Sequence, residues 1–326
     1  MPDVHEEFVT FCDRDSLEAD YLAEFLETKR VPQNLFYLLD GADSFYTYRD
    51  ADVQQIAWQD ECAFFEEQPF WSPTDRYAFV SLGCGNAGPE KMLLRYLVEQ
   101  GWAIHYVGVD SSQTMLDLAA ENLRHERFRR TYVLADFAQP DFPERLRDLV
   151  QGFDVRLYAM IGGTFGNFEQ SKIAEVLADL IAVDDYLYLD VVPLPGSQEE
   201  DDRLRARFSR LPENLRLFFD RLLASLGLSR EHGEIVSVAD GDDGLRSVRH
   251  TFYFEAGERI TLSCLDREAD LAPGERVELL SIRAYDIDSL KDFLAGWGFA
   301  FVDTCVPDVG SLSHLWQRLL FVKDRS

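Results

Sequence analysis

Between residues 76 and 192, short apolar runs alternate with stretches whose apolar residues recur every three or four positions. The runs Ala78–Leu82, Ile104–Val109, Thr131–Ala135, Val155–Ile161 and Tyr186–Val192 read as strands. Pro89–Glu99, Ser112–Leu123, Phe142–Leu149 and Ser171–Ala182 read as the helices between them. This alternation predicts an α/β fold, with a parallel sheet covered by helices on both faces. Right-handed crossovers bring every strand's carboxyl end to one edge, where such sheets bind ligands.

The flanking segments carry other patterns. Residues 1–75 read as helical: Ser16–Leu26 has helical apolar spacing with Ser16 as a plausible cap, and Val53–Phe65 repeats it. An aromatic turn, Asp43–Arg49, lies between them. After Pro193-Leu194-Pro195-Gly196 comes a charged amphipathic helical region, Glu199 to Leu226. Four alternating runs follow, Gly233–Ala239, Leu245–Phe254, Arg259–Asp266 and Arg276–Tyr285, which predict an antiparallel meander. Asp286–Leu294 is helical again, and Phe299–Cys305 and Leu315–Val322 supply two last strands. The expected division is a helical part of a small substrate domain at 1–75 and a nucleotide-binding core at 76–192. An inserted α+β lid follows at 193–285, and 286–326 completes the sheet.

Composition narrows the function. The chain has 326 residues, 46% of them hydrophobic, enough for a large core, and a net charge of −27. A surface this negative repels phosphate backbones, so nucleic-acid partners are not expected. No run approaches the ~18 consecutive apolar residues of a membrane span. The acidic start Met1–Glu7 lacks the apolar region of a secretory signal. The five cysteines are widely spaced, which fits a reducing compartment. The six histidines show no metal-ligand spacing. A cytoplasmic monomer acting on a small molecule, with no metal and no membrane partner, is the expectation.

The candidate chemistry sits where the strands end. Gly83-x-Gly85-x-x-Gly88 follows the first strand, and Asp110 with Ser111 closes the second. Glycines let backbone approach a ligand, and an acid there takes ribose hydroxyls. The spacing formally satisfies a dinucleotide fingerprint, so an NAD-type oxidoreductase and a non-catalytic nucleotide-binding module stay open. At the third strand end, Asp136 can accept adenine amino hydrogens while Phe137 stacks on the ring. At the fourth, Ile161-Gly162-Gly163-Thr164-Phe165-Gly166-Asn167-Phe168 permits close approach to a reacting centre, and Asn167 offers both a donor and an acceptor. Asp190, at the fifth strand end, is a candidate proton acceptor.

These segments together resemble the histidine-specific, S-adenosylmethionine-dependent methyltransferases. The resemblance is carried by Leu82-Gly83-Cys84-Gly85 with Lys91, Asp110, Asp136-Phe137 and the Gly162–Phe168 motif. It implies a Rossmann-like, seven-stranded class I methyltransferase sheet with a second, smaller α+β domain. The cofactor it implies is S-adenosyl-L-methionine. Gly83, Gly85 and Gly163 would then lie against the cofactor, with Lys91 on its carboxylate. Asp110 and Ser111 would hold the ribose, and Asp136 and Phe137 the adenine. Asn167 would hold the amino-acid end of the methyl acceptor. Tyr46 falls near a family tyrosine that contacts substrate, and Phe208 at another, without its hydroxyl. The glutamate and serine that read the imidazole fall at Leu280 and Ile282. Apolar groups leave an imidazole N–H unpaired, which costs selectivity by orders of magnitude. The acceptor expected from these positions is a bulkier or less polar amine than histidine.

Overall fold

The computed structural model describes residues 5–32, 60–68, 75–137, 139–195, 213–242, 245–264, 267–306 and 316–324. The chain divides into two compact units. The first comprises Met1–Asp13, Ala51–Pro193 and Tyr285–Ser326, and the second Arg14–Asp50 and Leu194–Ala284.

The first unit holds strands β1 (Glu6–Thr10), β2 (Arg76–Leu82), β3 (Ala103–Asp110), β4 (Arg129–Leu134), β5 (Val155–Met160) and β6 (Tyr186–Pro193). They lie in the order β1-β4-β3-β2-β5-β6, all parallel. Strand β13 (Gln317–Lys323) continues the sheet antiparallel to β6, and β12 (Phe299–Cys305) pairs antiparallel with β13. β2 is buried from Tyr77 to Leu82, as a strand covered on both faces must be.

Four helices follow four of these strands: α2 (Gly88–Glu99), α3 (Gln113–Leu123), α4 (Phe142–Val150) and α5 (Gln170–Leu180). Each buries an apolar stripe at three- and four-residue spacing. α3 buries Met115, Leu116, Ala119 and Leu123, and α5 buries Ile173, Ala174, Leu177 and Leu180. Ser112 caps α3 by accepting the Met115 amide at 3.3 Å. A last helix, α7 (Ile287–Ala295), is capped by Asp286, which accepts the Ser289 amide at 2.9 Å.

Two expectations about residues 1–75 need correction. Residues 6–10 form a strand, not a helix, and add an eighth strand beyond β4 to the expected seven. Of the first 75 residues, only Arg14–Asp50 belong to the second unit. The rest is held to the sheet: β1 by its pairing with β4, and the helical segment 60–66 by Phe64 and Phe65 packing on Tyr188 at ring separations of 6.2 and 5.0 Å.

The second unit contains α1 (Arg14–Thr28), α6 (Glu213–Ser225) and strands β7 (Gly233–Asp242), β8 (Ser247–Ala256), β9 (Ile260–Cys264), β10 (Arg267–Leu271) and β11 (Arg276–Tyr285). β8 pairs with both β7 and β11, whereas β9 and β10 form a separate two-stranded sheet. The single meander read from the pattern is therefore two sheets. The run Arg259–Asp266 ends where β9 turns back into β10, a strand the pattern did not resolve. The core gathers Phe25 from α1, Phe219 and Leu223 from α6, and Phe254, Leu262 and Leu279 from the strands.

No helix among the described residues is long and apolar enough to cross a membrane. The acids buried among the described residues are only Glu61, Glu90, Asp110, Glu126, Asp185 and Asp190. The net charge of −27 therefore acts mainly as surface self-repulsion, which opposes the compact state and is screened by salt. Raising NaCl from about 0.05 M to about 1 M is expected to lift the thermal midpoint by several degrees, each kcal/mol relieved being worth roughly 2–4 °C. A flat or falling midpoint in scanning fluorimetry would contradict this account.

Candidate active site

The loop after β2 is built to turn tightly. Gly83 and Gly85 have φ of +71° and +52°, and Ala87 adopts the same left-handed conformation at +56°. The Gly83 and Cys84 amides reach back to the Val109 carbonyl at 2.8 and 3.0 Å, which ties the loop to the end of β3. A Cβ on Gly83 would meet Thr164 Cγ2 at 2.6 Å. The glycine at this position thus admits the loop that follows β5.

Asp110, at the end of β3, is the hinge of the arrangement. Its Oδ2 accepts the Gly85 amide and its Oδ1 the Ser112 amide, each at 2.9 Å. Burial pushes its carboxyl up to about 6, while the Ser112, Gly85 and Ser111 amides pull the other way. A carboxylate oxygen has two acceptor sites, so the two Asp110 oxygens keep acceptor capacity beyond their backbone amides. Two adjacent acceptors of this kind match a vicinal diol.

Lys91 points back across the loop. Its ammonium donates to Asn122 Oδ1 at 3.0 Å, and Asn122 donates to the Asn86 carbonyl at 3.1 Å. Asn86 Oδ1 in turn accepts the Gly88 amide at 2.9 Å. Asn122, in the last turn of α3, therefore closes the glycine loop. Beneath it, Ser81 donates to the buried Glu90, and the Cys84 thiol is pushed well above its ordinary range, first by burial and then by Asp110.

Asp136 is half-buried and Phe137 buried at the end of β4. The Phe137 ring lies between Phe142 and Phe168, at 5.2 and 5.6 Å. Phe168 belongs to the loop after β5, so the third and fourth strand ends meet there. In that loop Gly162 and Gly163 both have φ of +78°, and a Cβ on Gly163 would have no heavy atom within 4 Å. Space adjoins the loop at that point. Thr164–Asn167 forms one turn of 3-10 helix, closed by the Gly166 amide on the Gly163 carbonyl at 3.0 Å. Asn167 is half-buried, and its side chain makes no hydrogen bond to the described residues.

Sequence reasoning missed Gln170, Glu61 and Arg318, which lie behind this loop together with the candidate Asp190. Gln170 donates to the Phe168 and Phe165 carbonyls at 2.6 and 3.3 Å and accepts the Tyr285 phenol at 2.6 Å. Asp190 accepts the Gly162 amide at 2.9 Å and sits opposite Arg318 in the β6–β13 register. Arg318 pairs with Glu61 at 2.5 Å. Burial works against the Arg318 charge, yet Glu61, ahead of Tyr188 and Asp190, holds it firmly protonated. Only the polar residue inside an apolar run, as at Asp190 and Arg318, signalled these positions.

The structure thus brings Gly83, Gly85, Asp110 and Ser111 together at the adjoining ends of β2 and β3, with Gly163 in a loop that touches them. Asp136 and Phe137 join through Phe168. Leu280 and Ile282 lie in the second unit, Leu280 within its apolar core and Ile282 packed against it. Tyr46 and Phe208 fall outside the described residues.

The chain is similar to several solved proteins. The 1,6-didemethyltoxoflavin N1-methyltransferase of Burkholderia thailandensis shares 12% identity over 96% of this chain and 92% of that one, with a TM-score of 0.44. A SAM-dependent methyltransferase of Leishmania major shares 10% over 95% and 91%, with a TM-score of 0.44. The PH0226 protein of Pyrococcus horikoshii shares 15% over 76% and 84%, with a TM-score of 0.40. No curated protein matches the sequence. The model of one family, described as histidine-specific, SAM-dependent methyltransferases, matches residues 18–189, more than half of the 326. The chain belongs to that family, and its cofactor is S-adenosylmethionine.

Proposed function

We propose that this methyltransferase alkylates an amine nitrogen of a small, amino-acid-like molecule that is bulkier or less polar than histidine. The observation that carries the cofactor end is Asp110: buried, held by backbone amides of both flanking loops, and left with acceptor capacity on its carboxylate. These fit the ribose diol of the cofactor. The positive φ of Gly83 and Gly85 lets their backbone approach the methionine part, and Asp136 with Phe137 would hold the adenine.

Bound S-adenosylmethionine supplies a methyl group already activated on a sulfonium. The residues of this chain then have to orient the acceptor and keep water out. Asn167 can take the carboxylate or amine of the acceptor through its side-chain amide. The apolar residues Leu280 and Ile282, where the family resemblance puts groups that read an imidazole, support an acceptor without an imidazole to satisfy. The acceptor amine must be neutral to attack.

Calorimetric titration is expected to show S-adenosylhomocysteine binding and no comparable binding of NAD. Asp110→Ala should weaken the former by about 100-fold or more, since it removes a charged acceptor from two hydroxyls. Unchanged affinity would take Asp110 out of the site. The acceptor form of Asp110 is the carboxylate, and its carboxyl lies near 6. Affinity should therefore be level above about pH 7 and fall about tenfold per unit on acidification below about 6, with one proton taken up on release. An affinity that rises on acidification would refute this.

Methyl transfer should also be followed across a panel of amino acids and amines. Histidine is expected to give a kcat/KM at least about tenfold below the best apolar amine, by the cost of an unpaired imidazole N–H. Histidine as the best acceptor would overturn the substrate reading and leave the cofactor reading intact.

A further inference from the structure

β6 and β13 run antiparallel with Asp190 directly opposite Arg318, so the two side chains project from one face of the sheet. Tyr188, two residues before Asp190, projects from the same face. Glu61 reaches that face from the helical segment 60–66, accepting the Tyr188 phenol at 2.9 Å and pairing with Arg318 at 2.5 Å. The group is dry: Glu61, Asp190 and Arg318 are 2%, 4% and 5% exposed, and Tyr188 is fully buried. Glu61 pairs with the guanidinium directly, and Asp190 lies opposite it in register and within its field. Without that cation the two carboxylates would repel each other in a medium that cannot screen them.

The group has one outlet toward the site. Asp190 Oδ2 accepts the Gly162 amide at 2.9 Å, a charge-assisted bond to the first residue of the Gly162–Asn167 loop. Other hydrogen bonds among the described residues hold the rest of the loop: Thr164 Oγ1 donates to the Ile161 carbonyl at 2.9 Å, and Gln170 to the Phe165 and Phe168 carbonyls.

We propose that Glu61 and Arg318 are positioning residues for the acceptor end of the site, acting through Asp190, which fixes the amide that starts the Asn167 loop. The guanidinium keeps both carboxylates in the interior, and Glu61 with Tyr188 holds the guanidinium in line. Asp190 then serves the Gly162 amide through Oδ2 and does not receive the acceptor's proton. The importance of the loop to transfer rests on the functional reading above, and the test separates the two.

Amide hydrogen exchange over residues 161–168 should be measured by mass spectrometry in the full-length protein. Asp190→Asn, Asp190→Ala and the near-isosteric double variant Glu61→Gln/Arg318→Met are compared with the parent. Thermal unfolding and S-adenosylhomocysteine titration run alongside. Asp190→Ala is expected to speed exchange in 161–168 by about tenfold or more, while residues 83–88 keep their protection. Asp190→Asn, which keeps an oxygen for the Gly162 amide, should restore most of the protection. The double variant should loosen 161–168 selectively.

An Asp190→Ala loop that exchanges as in the parent would overturn the proposal. So would loosening spread evenly over the chain, or an Asp190→Asn variant as loose as Asp190→Ala. Once an acceptor is identified, the double variant should raise its KM by a larger factor than it lowers kcat. Collapse of kcat in Asp190→Asn with the loop still protected would make Asp190 the proton acceptor and overturn the proposal. Failure of the parent to bind S-adenosylhomocysteine would sink the functional reading, and the exchange measurements would still decide the positioning.

Discussion

A single carboxylate, taken out of water at the end of β3, organises the cofactor end of this protein. Burying an unpaired anion is prohibitively costly, and Asp110 is tolerable because backbone amides from two elements meet it. One comes from the loop after β2 and the other from the first turn of α3. The loop of one strand and the helix of the next therefore share an anion, and neither can shift without stranding the charge. The positive N-terminal end of α3 favours the same arrangement.

From that point the pocket rim is cross-linked. Thr164 rests where a Gly83 side chain would be, and Phe168 packs on Phe137. Lys91, Asn122 and Asn86 join two helices to the glycine loop. The strand ends of β2, β3, β4 and β5 thus form one connected surface instead of four separate loops. The loop after β5 is held from below by a different device, a dry ion group reached through Asp190.

Much of this was legible in the chain. Strands β2 to β6 are continuous apolar runs because helices cover both sheet faces, and their ends are marked by Gly83, Asp110, Asp136 and Gly162. β1 was not legible. Glu6-Glu7-Phe8-Val9-Thr10 is an exposed edge strand with little apolar pattern, and it is a strand because β4 offers it a free edge. β10 was missed because Arg267-Glu268-Ala269-Asp270-Leu271 is charged at three of its five positions, and the run read before it stops at Asp266. Glu61, Gln170 and Arg318 eluded the reading for a deeper reason. Their roles arise from register between segments far apart in the chain, and no local spacing encodes which residue stands opposite Asp190.

The position of Arg318 has a consequence for how the protein comes into being. A ribosome delivers Glu61 and Asp190 long before it delivers the cation that lets both be buried. Until β13 arrives, the face of β6 that carries Tyr188 and Asp190 has two acids and no base, and water is their better environment. The nascent sheet can assemble from β2 to β6, but it cannot dry out at that face. The late strand therefore works as a latch: the ion group behind the loop that carries Asn167 is complete only once β13 has been made.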